Sequence, residues 1–236
     1  MDIHKPKAFH SWREFVSEIA IIVIGVLIAL GAEQVVSHLH ERQMSREARE
    51  AIRRELQFNI ARLNLRRETS PCVQRRLDEL QALLDRGPGR MDPPKWVGRP
   101  QFWTLQASRW QAANQAGRAV LLPAQELGAY GLMHAQMENL TGEMVDEQTQ
   151  WARLRALAHV RELTPQAALD LNQALQIARY RNWGINLQTG QIRHLADVLG
   201  LKPVTVQDAA SRSVCVPMDT PPAEAQRLSR FPSGEL

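Results

Sequence analysis

The sequence predicts an all-α protein in which an N-terminal transmembrane helix continues into an antiparallel helical bundle, followed by an irregular, proline-rich C-terminal tail. Residues 19–32 are fourteen consecutive residues without a polar side chain, a run typical of a membrane segment. Beyond this run, apolar residues recur every three or four positions, as they do in amphipathic helices. The chain has no convincing run of alternating apolar and polar residues, which is the pattern expected of strands.

These patterns divide the chain into six consecutive parts. In order, they are an N-terminal tail (1–14), a transmembrane helix (15–36), a helical hairpin (37–86), a linker rich in proline and glycine (87–100), a helical bundle (101–200) and the C-terminal tail (201–236).

The composition is close to that of a globular protein, with 44% hydrophobic and 23% charged residues among 236. These values exclude a disordered chain and a protein with many membrane spans. The net charge of +4 lies entirely in residues 41–90, where twelve arginines stand against eight acidic residues. Because acidic residues are interleaved with these arginines, we interpret the segment as a solvated helix surface. The rest of the chain is neutral, so no nucleic-acid partner is expected.

The predicted transmembrane helix, residues 15–36, is long enough to cross a bilayer. As a helix it measures about 33 Å, against a hydrocarbon core of roughly 30 Å. Glu18 and Glu33 then lie near opposite interfaces, and Trp12 stands where aromatic residues favour the headgroup region. Two other interpretations stay open: a buried core helix, since the uninterrupted apolar run is short, and a cleavable signal peptide. The lipid bilayer is the predicted partner.

One side of this helix carries Glu18, Gly25, Ala29 and Ala32, with Gly25 and Ala29 four positions apart. Small residues at that spacing let membrane helices approach each other closely. The sequence therefore predicts a helix-contact face suited to a homodimer or to a partner membrane protein.

Residues 14–33 read EFVSEIAIIVIGVLIALGAE and are followed at once by a polar, arginine-rich helix. This stretch resembles the N-terminal region of DUF6090-like proteins, a family of small bacterial proteins with one N-terminal transmembrane helix. The similarity covers about a quarter of the chain and consists mainly of a hydropathy pattern. It implies a membrane anchor and supplies no catalytic residue.

Basic residues are balanced across the predicted span. Three precede it and three follow it closely: Lys5, Lys7 and Arg13, then Arg42, Arg46 and Arg49. The positive-inside rule therefore gives no preference. A short tail before a long domain suits a signal anchor, and two widely spaced cysteines suit an oxidising compartment. We therefore expect a bacterial inner-membrane protein whose C-terminal domain is periplasmic.

The two helices after the span form the predicted hairpin. Residues 35–68 contain no proline or glycine, and their apolar residues recur in three- and four-residue steps. Ser70 is placed to cap a second helix with Pro71 at its first position, and the Gly-Pro-Gly at 87–89 ends it. Two consecutive amphipathic helices are expected to lie antiparallel, each covering the apolar stripe of the other.

Three further helices are predicted after the linker. They cover residues 102–120, residues 122–160 with a break at Thr141 and Gly142, and residues 164–199, which begin with Thr164 as a cap before Pro165. The tail beyond them has five prolines and little periodicity.

The chain has two cysteines, Cys72 and Cys215. Cys72 falls in the first turn of the second predicted helix, and Cys215 falls in the tail. A disulfide between them would pin the tail onto the bundle. Two unrelated free thiols are the alternative.

No catalytic, cofactor-binding or metal-binding motif is recognisable. Nucleotide-binding, serine-hydrolase and zinc-protease patterns are absent from the sequence. Two histidines have a glutamate at helical spacing, His134 with Glu138 and His159 with Glu162, but neither pair is matched by a second one. We therefore predict no catalytic residue, no cofactor and no metal.

The densest aromatic region is residues 99–118, where Trp103 and Trp110 are seven positions apart and share a helical face. Two large core anchors are one interpretation. A ligand groove of tryptophan and glutamine side chains is the other.

Together, these patterns predict a single-pass membrane protein whose periplasmic helical domain is an interaction or structural module. Two alternatives stay open. One is a periplasmic enzyme or ligand-binding domain with a cleft near Trp103 and Trp110. The other is a cytoplasmic-facing regulator whose basic helix senses lipid charge.

Overall fold

The computed structural model describes residues 12–206 and 212–229, and the predicted all-α architecture is confirmed. The helices are α1 (Trp12–Glu68), α2 (Ser70–Leu84), α3 (Ser108–Gln115), α4 (Ala124–Arg155), α5 (Pro165–Val198) and α6 (Pro222–Leu228). Short 3-10 turns cover Ala119–Leu121, Ala156–His159 and Ser213–Cys215, and the two-residue strands β1 (Gly89–Arg90) and β2 (Glu162–Leu163) pair antiparallel. Residues 1–11 of the predicted N-terminal tail, and residues 207–211 and 230–236 of the predicted C-terminal tail, lie outside the described residues.

α1 is a single helix of 57 residues that joins two chemically different halves. Residues 16–43 are exposed along their whole length, and the first buried side chain is that of Ala48. No glycine or proline interrupts the chain between Gly31 and Pro71, so nothing breaks the helical hydrogen bonds there. The apolar segment therefore continues directly into an amphipathic helix, as predicted.

The predicted hairpin of residues 37–86 is wrong, because α2 continues in the direction of α1. Thr69, not Ser70, takes the cap position between the two helices, and its backbone is itself helical, with φ −86° and ψ −5°. Pro71 lacks the N–H that would bond back to α1, so the helix bends at this point instead of reversing. Contacts along the antiparallel α5 follow in order: Arg53 with Leu199, Ser70 with Asn186, Asp78 with Arg179.

α4 and α5 complete the bundle, α4 parallel to α1 and α5 antiparallel to it. The Thr164 side chain accepts a hydrogen bond from the Ala167 N–H at 3.2 Å and caps α5 as predicted. The predicted break at Thr141 and Gly142 is wrong, since α4 runs straight through it. The Thr141 hydroxyl there donates to the Met137 carbonyl oxygen at 3.0 Å, which keeps its polar group satisfied inside the helix.

The predicted third helix, residues 102–120, is wrong in its first half, which is extended. The side chains of Trp103 and Leu105 are buried while their neighbours in between are exposed, an alternation typical of a strand. Its backbone bonds to side chains instead of to another strand. Asn59 of α1 accepts from the N–H of Gln106 at 2.9 Å and donates to its carbonyl oxygen at 2.7 Å. One side chain thus replaces a strand partner, which satisfies backbone groups that would otherwise be costly to bury.

The core consists of two neighbouring clusters of buried side chains. The first lies between α1, α3, α4 and the C-terminal half of α5, and includes Leu56 and Met137. The second lies between α2, the end of α4 and the first half of α5, and includes Leu77 and Trp151. α1 and α2 therefore cover their apolar stripes on α4 and α5, which explains why they need not fold back on each other.

The linker and the tail fold together over α2. The Trp96 indole N–H donates to the Ser213 carbonyl oxygen at 2.8 Å, and its backbone N–H donates to the Met218 carbonyl oxygen at 2.9 Å. Val214 and Val216 of the tail are buried. The tail, predicted to be irregular, contains α6 and is bound to the domain.

Gly98 lets the linker approach the tail closely. Its φ is +71°, and a Cβ added there would fall on the Ser213 carbonyl group. We expect Gly98→Ala to lower the free energy of unfolding by about 1–3 kcal/mol and to loosen the tail. Urea unfolding and limited proteolysis measure both effects.

Gly87 provides the matched control for this substitution. Its φ is +82°, but a Cβ there would meet nothing within 4 Å. Gly87→Ala should therefore lower the free energy of unfolding only by the cost of the backbone strain. The tail should stay protected from proteases. Equal losses for the two variants would contradict a role for the close approach.

Candidate functional site

The first candidate site is the apolar half of α1. Among the described residues, α1 provides the one helix that is long and apolar enough to cross a membrane, with a mean hydropathy of 2.5 over 18 residues. None of that window is buried in the domain. This exposure argues against a core helix, whose apolar side chains would be covered by neighbours.

The predicted helix-contact face lies on this exposed segment. Glu18, Gly25, Ala29 and Ala32 are all exposed. A Cβ added at Gly25 would meet nothing within 4 Å. The face is therefore open to a second helix, and the identity of that helix stays a prediction.

The second candidate site is the clasp that holds linker and tail on α2. Cys72 and Cys215 form the predicted disulfide, with their Cα atoms 4.9 Å apart. The buried guanidinium of Arg76 donates to the carbonyl oxygens of Val97 in the linker and Val216 in the tail. Burial lowers the pKa of Arg76, yet an arginine stays protonated under any physiological condition. The clasp thus combines a covalent bond with a permanent charge.

A buried ion pair lies where α1, α4 and α5 meet. Arg66 Nη2 donates to both carboxylate oxygens of Glu147, at 2.8 and 3.0 Å, and to Oδ1 of Asn182 at 3.0 Å. The side chains of Arg66 and Glu147 are 1% and 0% exposed, respectively. Burial raises the pKa of Glu147, and the charge of Arg66 opposes this rise. The ion pair and the Asn182 contact therefore link α1, α4 and α5 in the interior of the domain.

His134 is the one buried histidine of the described ranges. Its ring stacks on the Trp110 indole, with centroids 5.2 Å apart and planes 8° apart, and its Nε2 lies 3.6 Å from Glu55 Oε1. Glu55 also accepts from the backbone N–H groups of Arg109 and Trp110, at 2.7 and 3.2 Å. Glu55 therefore caps α3 from a neighbouring helix. The pairing of His134 with Glu138 that the sequence suggested does not form, because Glu138 points to solvent.

His134 should make stability depend on pH. Burial lowers its pKa to about 4, against the opposing charge of Glu55. An unfolded histidine titrates near 6.5, so between about pH 6.5 and 4 the unfolded state binds more protons. The contribution of the neutral ring is complete above that window and is lost as the pH falls through it, by up to about 1.4 kcal/mol per pH unit. Urea unfolding at several pH values should show this slope, and His134→Phe should reduce it.

The exposed His194 provides the control for this measurement. His194→Phe should leave the slope unchanged, because that ring lies in solvent in the folded domain as well. A His134→Phe protein with the full slope would show that other groups cause the pH dependence.

Trp103 and Trp110 both pack into the first core cluster. Trp103 is 9% exposed, with the Arg62 guanidinium 4.9 Å from its ring centroid. Trp110 is half-buried against His134. Since the chain before α3 is extended, the two tryptophans do not share a helical face. The geometry favours core anchors over a ligand groove.

The remaining described histidines do not converge. His38, His40, His159 and His194 are exposed and lie on different parts of α1, the turn after α4, and α5. Across residues 12–206 and 212–229, no group of three or more metal-ligating side chains is arranged to hold a metal.

The outer face of α5 carries exposed aromatic side chains. Tyr180 and Trp183 are 63% and 59% exposed, and their ring centroids are 5.9 Å apart. Leu187 extends this surface by one turn towards an open depression lined by Gly190 and His194. Clustered exposed apolar side chains on a folded domain are typical of binding surfaces.

No family model, no curated protein and no solved structure matches the chain. Three features of the molecule bear on its function: the exposed apolar half of α1, the domain built on the other half, and the exposed face of α5.

Proposed function

We propose that the protein is a single-pass protein of the bacterial inner membrane whose periplasmic helical domain acts as an interaction or structural module. Residues 15–36 serve as the anchor. The observation that carries this proposal is the continuity of α1, which passes from an exposed apolar segment into the domain core without a break.

The continuity of α1 has a mechanical consequence. Between Val36 at the end of the span and Ala48 in the core, the only connection is about 18 Å of helix. A flexible linker would let the domain rotate freely, whereas a helix fixes both its distance and its orientation relative to the bilayer. Such a geometry suits a module that must present one face to a partner at a set height.

The periplasmic location is supported by the disulfide. Structural disulfides persist in oxidising compartments and are rare in the bacterial cytosol. The Cys72–Cys215 bond closes a loop of 143 residues and ties the tail to the domain, which is a structural arrangement and not a redox-active motif. A cytoplasmic regulator that senses lipid charge would require reduced cysteines at these positions.

Topology and oxidation can be tested together in the bacterial host. A C-terminal reporter that is active only in the periplasm, combined with a non-reducing gel, should give an active fusion and an oxidised protein in the membrane fraction. Ile24→Arg is the matched variant, because a charge at the middle of the span is costly in hydrocarbon and should move the protein out of that fraction. A cytoplasmic C-terminus with reduced cysteines would overturn the periplasmic assignment and favour the regulator.

The predicted contact face of the span can be tested in the same membranes. Crosslinking should capture a dimer or a partner membrane protein, and Gly25→Ile with Ala29→Ile should abolish the product by holding the helices apart. Leu27→Ile, on the opposite side of the helix, is the control. A monomer in every condition would weaken the proposed role of Glu18, Gly25, Ala29 and Ala32.

A further inference from the structure

The part of the domain nearest the span is the turn between α3 and α4. The Ser45 hydroxyl of α1 donates to the Leu121 carbonyl oxygen at 2.9 Å, which holds this turn against the helix. Ser45 lies nine residues beyond Val36, a rise of about 14 Å along the helix. The next contact outwards, the ion pair of Arg49 with Glu126, is one helical turn further from the span.

The surface at this level is basic and partly apolar. Val120 at the tip of the turn is 73% exposed, and Arg118 beside it is exposed. On α1, Arg42 and Arg46 are exposed as well. None of these three arginines has an ion-pair partner among the residues that the structure describes, in contrast to Arg49.

The described acidic side chains nearby on α1 do not pair with these arginines. Glu41 lies 3.6 Å from the His38 ring, Glu47 accepts a hydrogen bond from Gln43, and Glu50 lies 3.7 Å from Arg54. The exposed guanidinium groups of Arg42, Arg46 and Arg118 can therefore contact anionic groups outside the domain. Unpaired arginines beside an exposed aliphatic residue match the chemistry of an anionic lipid surface.

The surface lies close enough to the end of the span to reach the lipid headgroups. Phosphate and glycerol groups occupy about 5–8 Å on each side of the hydrocarbon core. Membrane helices tilt by about 20° on average, which lowers one side of an attached domain by several ångströms. Long arginine side chains extend further still.

We infer that residues 117–121, together with Arg42 and Arg46 of α1, form a binding surface for anionic phospholipid headgroups. This inference rests on the proposed function, because it requires α1 to span a bilayer. The contact would add a second point of attachment to the membrane and so limit the tilt of the domain relative to the bilayer. Each arginine near a charged surface contributes about a fivefold preference for anionic lipid.

The test places a fluorescent label at one introduced cysteine in the full chain, reconstituted in nanodiscs. Because both native cysteines are bonded to each other, only the new thiol reacts. Val120→Cys reports the surface, Ile24→Cys reports insertion of the span, and Tyr180→Cys is an exposed site near the far end of the domain. Discs contain phosphatidylcholine alone or with 30% phosphatidylglycerol, and carry nitroxides at the headgroup or the acyl chain.

Acyl-chain nitroxides should quench the label at position 24 in both lipids. Headgroup nitroxides should quench the label at position 120 at least twofold more with phosphatidylglycerol, and leave position 180 unaffected. Replacing the three arginines by glutamine should remove the lipid dependence. The control triple variant R153Q/R155Q/R161Q changes three exposed arginines in the last turn of α4 and shortly after it, at the end of α4 farthest from the span. This variant should retain the dependence.

The possible failures are distinguishable. Quenching at position 24 with none at position 120 overturns the inference and leaves the anchor intact. Quenching at position 120 that is equal in both lipids overturns the anionic specificity. No quenching at position 24 overturns the proposed anchor, and the inference with it.

Discussion

Replacing both cysteines by alanine, C72A/C215A, should lower the free energy of unfolding by about 4–5 kcal/mol. The disulfide closes a loop of 143 residues, so its loss greatly increases the conformational freedom of the unfolded chain. Urea unfolding of the full chain in detergent, oxidised and reduced, measures the effect. The reduced wild-type protein should match the double variant.

The folded domain should change little in that variant. The tail is also held by Arg76, which reaches Val216, and by Trp96, which reaches Ser213 and Met218. The stability loss is therefore expected to arise in the unfolded state, with the tail still protected from proteases under native conditions. If proteases cleave the tail as soon as the bond is removed, the disulfide instead holds the folded tail in place.

Local signals in the sequence predicted much of the fold. The Thr164–Pro165 start of α5 and the end of α2 before Gly87 are encoded by residues whose own backbone chemistry starts or stops a helix. The disulfide followed from there being only two cysteines. The two helix ends each depend on a few neighbouring residues. The disulfide depends on each cysteine having a single possible partner.

The errors arose where one local signal permits two tertiary outcomes. Pro71 breaks a hydrogen bond equally well in a tight turn and in a bend, and only the surface of α5 decides between them. The segment before α3 has aromatic residues that fit a helix or a strand. Asn59, 47 positions away from Gln106, makes the extended form favourable.

The partners of the buried polar groups were also beyond sequence reasoning. His134 finds Glu55 on another helix instead of Glu138 four residues away, and Arg66 finds Glu147 at a separation of 81. Interleaved acidic residues suggested that the arginines of residues 41–90 pair locally on the surface. Arg66 and Arg76 are buried instead, and each links segments far apart in the chain.

The Arg66–Glu147 pair gives the second large prediction. Glu147→Leu should lower the free energy of unfolding by about 3–5 kcal/mol, because it leaves a buried guanidinium that cannot release its proton. Arg66→Met should lower the free energy of unfolding by a smaller amount. Burial already raises the pKa of Glu147, so without Arg66 the carboxyl group can bind a proton and become neutral.

The pH dependence separates these two variants. In Arg66→Met, the folded state holds the Glu147 proton more tightly than the unfolded state, whose carboxyl titrates near 4.5. The contribution of Glu147 to the free energy of unfolding should therefore be greatest below pH 4.5. It should fall as the pH rises towards the elevated pKa of the folded state. Glu147→Leu has no such carboxyl and should lack this fall.

The double variant R66M/E147L tests whether the charges act as a pair. Removing both leaves no buried charge, so its stability should exceed that of Glu147→Leu alone, although Asn182 then loses a donor. The exposed pair of Arg179 and Asp78 is the control, because Asp78→Ala should cost at most about 1 kcal/mol. If the double variant loses the sum of the two single losses, Arg66 and Glu147 stabilise the domain independently and do not act as a pair.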